Sequence, residues 1–329
     1  MAARVTFLGT GTSHGVPAIG CRCATCLSDD PRDRRWRPSI LIELGGGATL
    51  LVDTSPDLRA QALAFALSRI DAILFTHAHA DHLLGLDDIR RFNEMQGGPI
   101  SCYGDRATLA ELRRTFAYAF GPGAPGGGVP RVTLFALAGP FSLGGAEIVP
   151  VPVMHGTQPI LGFRVGSFAY LTDCSAIPES SWRLLAGTRY LALDALRERP
   201  HPTHFSLSEA LAVAGRLGPE RTWLTHICHD LPHAAVSARL PAGVMLAYDG
   251  LRVEVSDQRT SSTSRTTAGR PTGAALCSRS ATSTASTGGT RRSSIASPGP
   301  PPNTRSRRSC APSIRIRPGS CGRRRRRRC

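Results

Sequence analysis

Short apolar runs, separated by glycine, proline and polar residues, divide the first 257 residues of the chain into strands and helices. Strand-like runs lie at residues 4–10, 39–44, 48–54, 71–75, 132–138, 141–154, 161–166, 168–172, 189–196 and 222–225, with a final strand pair at 244–248 and 251–255. Apolar residues at helical spacing predict helices at 56–67, 83–95 and 207–217, and residues 100–119 are predicted to hold a strand followed by a helix. Strands and helices alternate, as in an α/β fold.

Local signals set several of these boundaries. The run Gly45-Gly46-Gly47 separates two strand-like segments and predicts a hairpin. Ser206 and Glu209 have the spacing of a capping box, which fixes the start of the helix at 207–217. The segment 121–130 is rich in glycine and proline and is predicted to be an irregular loop. The helix predicted at 83–95 places four apolar residues largely on one face: Leu84, Leu86, Ile89 and Phe92.

Charge is distributed unevenly along the chain. All 40 basic residues are arginine, and 17 of them lie in residues 258–329, where there is no aspartate or glutamate. Residues 1–257, the body, have 23 arginines against 24 acidic residues. The tail is composed mainly of Ser, Thr, Arg, Pro and Gly, so we expect it to be disordered. It is either a basic arm that binds nucleic acid without sequence preference or, as we favour, the out-of-frame product of a GC-rich gene.

The body is predicted to be a soluble, cytoplasmic domain. Residues 1–4 lead directly into a strand-like run without the apolar stretch of an export signal. No run reaches the ~20 apolar residues that a membrane helix needs, so we expect no membrane contact. Cysteines of a cytoplasmic protein stay reduced, which favours metal binding over disulfide formation for any close cluster.

The most informative motif is His77-Ala78-His79-Ala80-Asp81-His82, which has four potential metal ligands in six positions. It follows the strand predicted at 71–75. His77 and His79 therefore extend from a strand end, whereas Asp81 and His82 lie on a turn that opens a helix. Such an arrangement can supply two metal ions, which lie about 3.5–4 Å apart in two-metal hydrolases. The alternative is a histidine-rich surface loop, which potential ligands farther along the chain disfavour.

A second cluster places three thiols, Cys21, Cys23 and Cys26, within six residues. Three thiolates can occupy three corners of a zinc tetrahedron, and the fourth ligand must then come from elsewhere in the chain. Unrelated free thiols are the alternative. The Cys-x-Cys-x-x-Cys spacing in a reduced compartment favours zinc.

The His-x-His-x-Asp-His motif resembles the signature of the metallo-β-lactamase superfamily. This resemblance implies that residues 1–257 form an αββα sandwich of two mixed sheets flanked by helices. It implies that Asp53 holds the ligand loop, that His155 completes the first metal site, that Asp173 bridges both ions, and that His226 closes the second site. The metal ligands expected from the motif and the resemblance together are His77, His79, Asp81, His82, His155, Asp173 and His226.

Two further histidines extend this site. His204 stands just outside the amino terminus of the helix at 207–217, where a phosphate would be stabilised. We expect it to hold the phosphate or to protonate the leaving oxygen, with a near-neutral pKa. His229 is expected to be the fourth ligand of the cysteine cluster. Because it lies three residues after His226, the structural zinc would hold a catalytic ligand in place.

The cysteine cluster with His229, the turn at residues 9–13 and the segment around His204 resemble the family of phosphoribosyl 1,2-cyclic phosphate phosphodiesterases. The resemblance covers residues 4–256. It implies two active-site ions, Mn²⁺ or Zn²⁺, and one structural Zn²⁺. A hydroxide between the two ions would attack the phosphorus of a small cyclic phosphodiester, with Asp81 and His204 as the catalytic residues.

Other functions stay open at this level. A transfer-RNA 3′-processing nuclease would use the same seven ligands, but the body has no insertion that could grip a tRNA. A thioester or lactone hydrolase would also use them, whereas the missing export signal disfavours a β-lactamase. A polyanion-binding protein would depend on residues 258–329 alone, and we expect nucleic acid to bind only there, without specificity. The sequence leaves open whether the protein is a homodimer.

Overall fold

Two seven-stranded sheets, whose inner faces pack against each other, form the centre of the protein. The computed structural model describes residues 2–121 and 128–257. In chain order the strands are β1 (Ala2–Gly9), β2 (Ser39–Leu44), β3 (Thr49–Val52), β4 (Ala72–Leu74), β5 (Ile100–Gly104), β6 (Val132–Ala136), β7 (Phe141–Leu143), β8 (Ala146–His155), β9 (Gln158–Val165), β10 (Phe168–Leu171), β11 (Tyr190–Asp194), β12 (Arg221–Thr225), β13 (Val244–Leu246) and β14 (Arg252–Ser256).

Both sheets are mixed, and each has one parallel half. The first has the strand order β14-β1-β2-β3-β4-β5-β6, and its strands β3 to β6 are parallel. The second has the order β13-β12-β11-β10-β9-β8-β7, and its strands β10 to β13 are parallel. Parallel strands end at the same edge of a sheet, so the loops that follow β3, β4, β10, β11 and β12 can combine their residues in one site.

Helices cover the outer faces of both sheets. They are α1 (Leu58–Ala64), α2 (Ala80–Leu83), α3 (Arg90–Gln96), α4 (Arg106–Thr115), α5 (Glu179–Trp182), α6 (Leu207–Leu217) and α7 (His233–Ser237). Helices α1, α3 and α4 share a core with the first sheet, and α6 and α7 share another with the second sheet. This is the αββα sandwich that the resemblance implied. The capping box of Ser206 and Glu209 is present at the start of α6.

Strands between two apolar layers alternate their side chains between the layers. Ile42 and Leu50 face the core between the sheets, whereas Leu41 and Leu51 face the core under the helices. All four side chains are buried. These strands therefore read as nearly continuous apolar runs.

The helix predicted at 83–95 is interrupted. Its residues Leu84–Ile89 form a 3-10 helix between α2 and α3 and lie against the loop after β3. A Cβ atom on Gly85 would come within 1.9 Å of the carbonyl oxygen of Ser55, so only glycine permits this close approach. The change of winding leaves Leu84, predicted on the apolar face, 47% exposed.

Two strand predictions were wrong in detail. The segment 141–154, predicted as one strand, is the hairpin of β7 and β8. Its turn consists of Gly144 and Gly145, whose φ angles of 59° and 78° suit glycine. The runs at 244–248 and 251–255 do form strands, but they do not pair with each other: β13 pairs with β12, and β14 pairs with β1 in the other sheet.

Some predictions concern residues outside the described ranges. Residues 122–127 of the predicted loop at 121–130 and the whole of the tail at 258–329 belong to this group. Within residues 2–121 and 128–257, no helix has both the length and the apolar character needed to cross a membrane.

Candidate metal centre

Three imidazoles meet where β4 and β8 end. His77 and His79 follow β4, and His155 is the last residue of β8. One ligand atom of each lies within 4.8 Å of the others. Burial lowers the pKa of all three, so each is held in the neutral form that binds metal ions. The Nδ1 atom of His155 donates to the carbonyl oxygen of Thr203 at 2.8 Å, which leaves its Nε2 lone pair free for a metal.

A second group lies beside the first. Its members are Asp81 and His82 in α2, Asp173 after β10 and His226 after β12, all buried. Asp173 is central, because its carboxylate lies 3.1 Å from His82 Nε2 and 3.2 Å from His226 Nε2. It also lies 3.9 Å from Nε2 of His77, a member of the first group. Asp173 thus stands between the two groups.

The surroundings of His82 favour a cation in this second group. His82 Nδ1 donates to Asp53 Oδ2 at 2.7 Å, since a carboxylate oxygen only accepts. Its Nε2 atom, which has no hydrogen-bond partner among the described residues, faces carboxylate oxygens of Asp81 and Asp173 at 3.3 and 3.1 Å. Burial lowers the pKa of His82, but the carboxylates outweigh burial and raise it well above the usual value. These atoms therefore favour a cation, either a proton or a metal ion, between them.

Other buried atoms of the two groups also point at each other and have no hydrogen-bond partner within residues 2–121 and 128–257. They are His77 Nε2, Asp81 Oδ2 and His226 Nε2. Buried polar atoms are rarely left unpaired in proteins, and imidazole and carboxylate donors suit divalent ions such as zinc and manganese. The residues therefore fit divalent metal ions.

Asp53 holds the ligand loop, as the resemblance implied. Its Oδ1 atom accepts from the backbone N–H of Thr76, and its Oδ2 atom accepts from Thr76 Oγ1 and from His82, all within 2.8 Å. Asp53, Asp173 and His226 each follow a strand and have φ angles of 62°, 54° and 58°. Such left-handed backbone is uncommon for residues other than glycine and concentrates at functional sites.

His204 lies beside this centre and is paired with Asp194. The ring of His204 stacks on that of His226 with 4.6 Å between centroids and also contacts His155 at 4.7 Å. Its Nδ1 atom lies 3.0 Å from Oδ2 of Asp194. The other oxygen of Asp194 lies 3.7 Å from Nδ1 of His226. One buried carboxylate therefore faces both a potential metal ligand and the predicted catalytic histidine.

The near-neutral pKa expected for His204 is not found. Burial and the neighbouring His226 lower the pKa of His204 to about 3. Burial raises the pKa of Asp194 well above its usual value, so the carboxyl group readily holds a proton. In that state the Asp194 hydroxyl donates to His204 Nδ1, and the proton of the neutral imidazole sits on Nε2. A proton held between these two groups therefore belongs to the pair rather than to His204 alone.

Asp194 was not among the residues selected from the sequence. The signal that could have found it is its place at the end of an apolar strand, like Asp173 and His226. Asp173, Asp194 and His226 lie at the carboxyl ends of the adjacent parallel strands β10, β11 and β12. They therefore meet at one edge of the second sheet. Thr203, which orients His155, carries no such signal, because only the tertiary fold brings its carbonyl oxygen to that ring.

The three cysteines meet His229 at a separate site. The Sγ atoms of Cys21 and Cys26 each lie 3.3 Å from His229 Nδ1, and the ligand atoms of all four residues lie within 4.8 Å of one another. Burial raises the pKa of Cys26 to about 11, so a cation is needed to hold its thiolate. The donor set of three sulfurs and one nitrogen is typical of structural zinc.

A buried arginine fastens the loop between the two sites. The guanidinium of Arg35 donates to the carbonyl oxygens of Cys228 and Leu231 at 3.0 and 2.8 Å and to Asp33 at 3.1 Å. These carbonyls lie on either side of His229. The loop that carries His226 and His229 is thus tied to the segment after the cysteines without any metal.

The two adjoining donor groups at the strand ends of an αββα sandwich define the class of metal-dependent hydrolases. A family model for the beta-lactamase superfamily domain matches residues 48–227. The chain belongs to the metallo-β-lactamase superfamily.

Two relatives cover most of the chain. A solved diphosphatase from the PhnP family is 46% identical, with a TM-score of 0.73, and the match covers 78% of this chain and 98% of that protein. The octanoyltransferase of Porphyromonas gingivalis is 36% identical over 259 residues, which are 78% of this chain and 52% of that protein. The chain therefore spans about half the length of that curated relative.

A third structure resembles the chain in fold alone. Zinc-bound PqqB from Methylobacterium extorquens is 22% identical, with a TM-score of 0.63, and the match covers 76% of this chain and 99% of that protein.

Proposed function

We propose that the chain hydrolyses small phosphodiesters, with a cyclic phosphate of a pentose as the expected substrate. The observation that carries the proposal is the position of Asp173, between the two donor groups and next to the Asp194–His204 pair. The 46% identity to a diphosphatase of the PhnP family supports chemistry at phosphorus. A small substrate, rather than nucleic acid, remains our expectation.

In this proposal His77, His79 and His155 would hold the first ion, and Asp81, His82 and His226 would hold the second. Asp173 would contribute its carboxylate to both sites. The active-site ions would be Mn²⁺ or Zn²⁺, and Cys21, Cys23, Cys26 and His229 would hold one structural Zn²⁺. When bound, the active-site ions supply a nucleophile at neutral pH and neutralise charge on the phosphoryl oxygens.

The protein's own groups then complete the reaction. Asp81 and Asp173 accept hydrogen bonds from water and orient it toward the phosphorus. His204 presents its Nε2 proton to the departing oxygen, and Asp194 resupplies that proton through Nδ1. The ring stack of His204 on His226 fixes the distance between the proton donor and the metal ligands.

Replacing Asp194 by asparagine is expected to separate proton donation from metal binding. Asparagine keeps the shape of the side chain but cannot deliver a proton to His204. We expect kcat to fall about 100-fold for a sugar diester, whose alkoxide must be protonated to leave. The rate for bis(p-nitrophenyl) phosphate should change little, because p-nitrophenolate leaves without a proton. Equal losses for both substrates would contradict the assigned role.

The function itself is tested with the purified chain in Mn²⁺ or Zn²⁺. The substrates are bis(p-nitrophenyl) phosphate, phosphoribosyl 1,2-cyclic phosphate, a diphosphate ester and an octanoyl thioester. The proposal expects hydrolysis of the first two. Cleavage of the diphosphate ester alone would support hydrolysis at phosphorus but would mean that the substrate is a diphosphate rather than a phosphodiester.

The thioester represents a second candidate function, thioester hydrolysis. The 36% identity to an octanoyltransferase favours it, although that name describes a protein about twice the matched length. Thioesterase activity without any diesterase activity would overturn the phosphodiester proposal.

A further inference from the structure

One histidine at the mouth of the site has no role in the proposed reaction. The rings of His77, His79 and His155 contact one another, and His155 also contacts His204, with 4.7 Å between centroids. The ring of His201 contacts His204 in turn, with 5.2 Å between centroids. Its side chain is only half-buried. It is therefore more exposed than the proton donor His204, which is buried.

The loop that carries His201 is held in a fixed shape. At its base, the backbone N–H of Leu196 donates to the carbonyl oxygen of Phe205 at 2.9 Å. Nearer the tip, the guanidinium of Arg197 folds back and donates to the carbonyl oxygens of Arg199 and Pro200 at 3.2 and 3.0 Å. The residue before His201 is thereby fixed, so the imidazole is presented from a constrained backbone.

Thr203 sets the tautomer of His201. The backbone N–H of Thr203 donates to Nδ1 of His201 at 3.3 Å, and its hydroxyl lies 3.2 Å from the same atom. Burial and the neighbouring His204 and Arg197 lower the pKa of His201, so the ring is neutral at pH 7. A neutral ring that accepts at Nδ1 carries its proton on Nε2. The carbonyl oxygen of Thr203 also accepts from His155, so one residue orients both rings.

We propose that His201 binds the leaving group of the substrate by donating its Nε2 proton to an oxygen next to the departing oxygen. The inference rests on the proposed function, because it places the leaving group beside His204. The ring of His201 lies 5.2 Å from the ring of that proton donor and is the more exposed of the two, so a leaving group that accepts a proton from His204 comes within its reach. A neutral N–H suits a sugar hydroxyl or ring oxygen, and a phenol without a neighbouring oxygen gains nothing from it.

The experiment compares two substrates in three variants of the whole chain. With phosphoribosyl 1,2-cyclic phosphate, His201→Ala is expected to lower kcat/KM about 10- to 30-fold, mainly through KM. With bis(p-nitrophenyl) phosphate, the same variant should stay within about twofold of the parent chain. His201→Gln, whose amide N–H can replace the Nε2 donor, should recover most of the loss. Arg199→Ala, an exposed change in the same loop, is the matched control and should leave both activities unchanged.

Each other outcome overturns the inference. Equal losses for both substrates would mean that His201 only maintains the structure of the loop. No loss for either substrate would mean that His201 does not contact the substrate. If His201→Gln were as inactive as His201→Ala toward the sugar diester, His201 would not act as a hydrogen-bond donor. If the parent chain cleaved bis(p-nitrophenyl) phosphate but no sugar diester, the leaving group would not be a sugar, and the role of His201 would fail while the phosphodiesterase function stood. A parent chain that cleaves neither diester would overturn the proposed function itself.

Discussion

The Asp173→Asn protein is expected to lose at least about 1,000-fold in kcat/KM for bis(p-nitrophenyl) phosphate and to retain fewer active-site ions. The carboxylate of Asp173 lies within 3.2 Å of Nε2 of both His82 and His226 and 3.9 Å from Nε2 of His77. A neutral amide cannot balance the charge of two cations. Asparagine also tolerates the φ angle of 54° at this position, so the backbone should keep its shape. Kinetics and metal analysis by mass spectrometry measure both effects.

A matched change elsewhere tests whether the loss is specific. Asp71 also adjoins a strand, at the amino-terminal end of β4, where it pairs with Arg69 at 2.6 Å. Asp71→Asn should keep the full metal content and nearly full activity, because exposed ion pairs contribute little. An Asp173→Asn protein that kept two active-site ions and normal kinetics would show that this carboxylate does not link the two groups.

The fold could be predicted largely from local patterns. Strands buried between two apolar layers are continuous apolar runs, and the glycines at 45–47 indicate a hairpin. The interrupted helix at 83–95 could not be predicted, because apolar spacing does not distinguish an α-helix from α and 3-10 segments in succession. At the interruption Gly85 packs closely against Ser55, which is 30 residues away in the chain, so the contact depends on the tertiary fold. The split of 141–154 was a missed local signal, since Gly144 and Gly145 stand in its middle.

The candidate site could likewise be predicted only in part. The structure brings together every metal ligand selected from the sequence, because those residues lie in a dense motif or at strand ends. The residues that orient them were harder to find. Asp194 ends a strand but belongs to no motif, and Thr203 acts through a carbonyl oxygen that any residue provides. The pKa of His204 also depends on tertiary burial, so its expected near-neutral value was wrong.

Removing one thiolate from the site of Cys21, Cys23, Cys26 and His229 is expected to have the largest effect on stability. In Cys26→Ser the buried Sγ atom, 3.3 Å from His229, becomes a hydroxyl, which is a poor zinc ligand. We expect the loss of one zinc per chain and a fall in Tm of about 10 °C, because the free energy of binding structural zinc contributes to folding. Metal analysis and thermal unfolding measure the two quantities.

Cys228→Ser is the matched control, because this thiol lies in the same loop but outside the group of four ligands. Its Sγ atom accepts from the backbone N–H of Asp230 at 3.3 Å, a bond that a serine hydroxyl can also accept. Cys228→Ser should therefore keep its zinc and its Tm. Unchanged zinc in Cys26→Ser would contradict a metal site at these cysteines.

The same variant tests whether the zinc site supports the catalytic one. His226 lies three residues before His229, and Arg35 holds the carbonyl oxygens of Cys228 and Leu231 without any metal. Because Arg35 keeps the loop in place, we expect Cys26→Ser to weaken binding of the active-site ions by only about 10-fold, a range typical when a group that orients a metal ligand is lost. Competition with a chelator measures that affinity. An unchanged affinity would mean that Arg35 alone positions His226, whereas complete loss of both ions would mean that zinc is the main support of the loop.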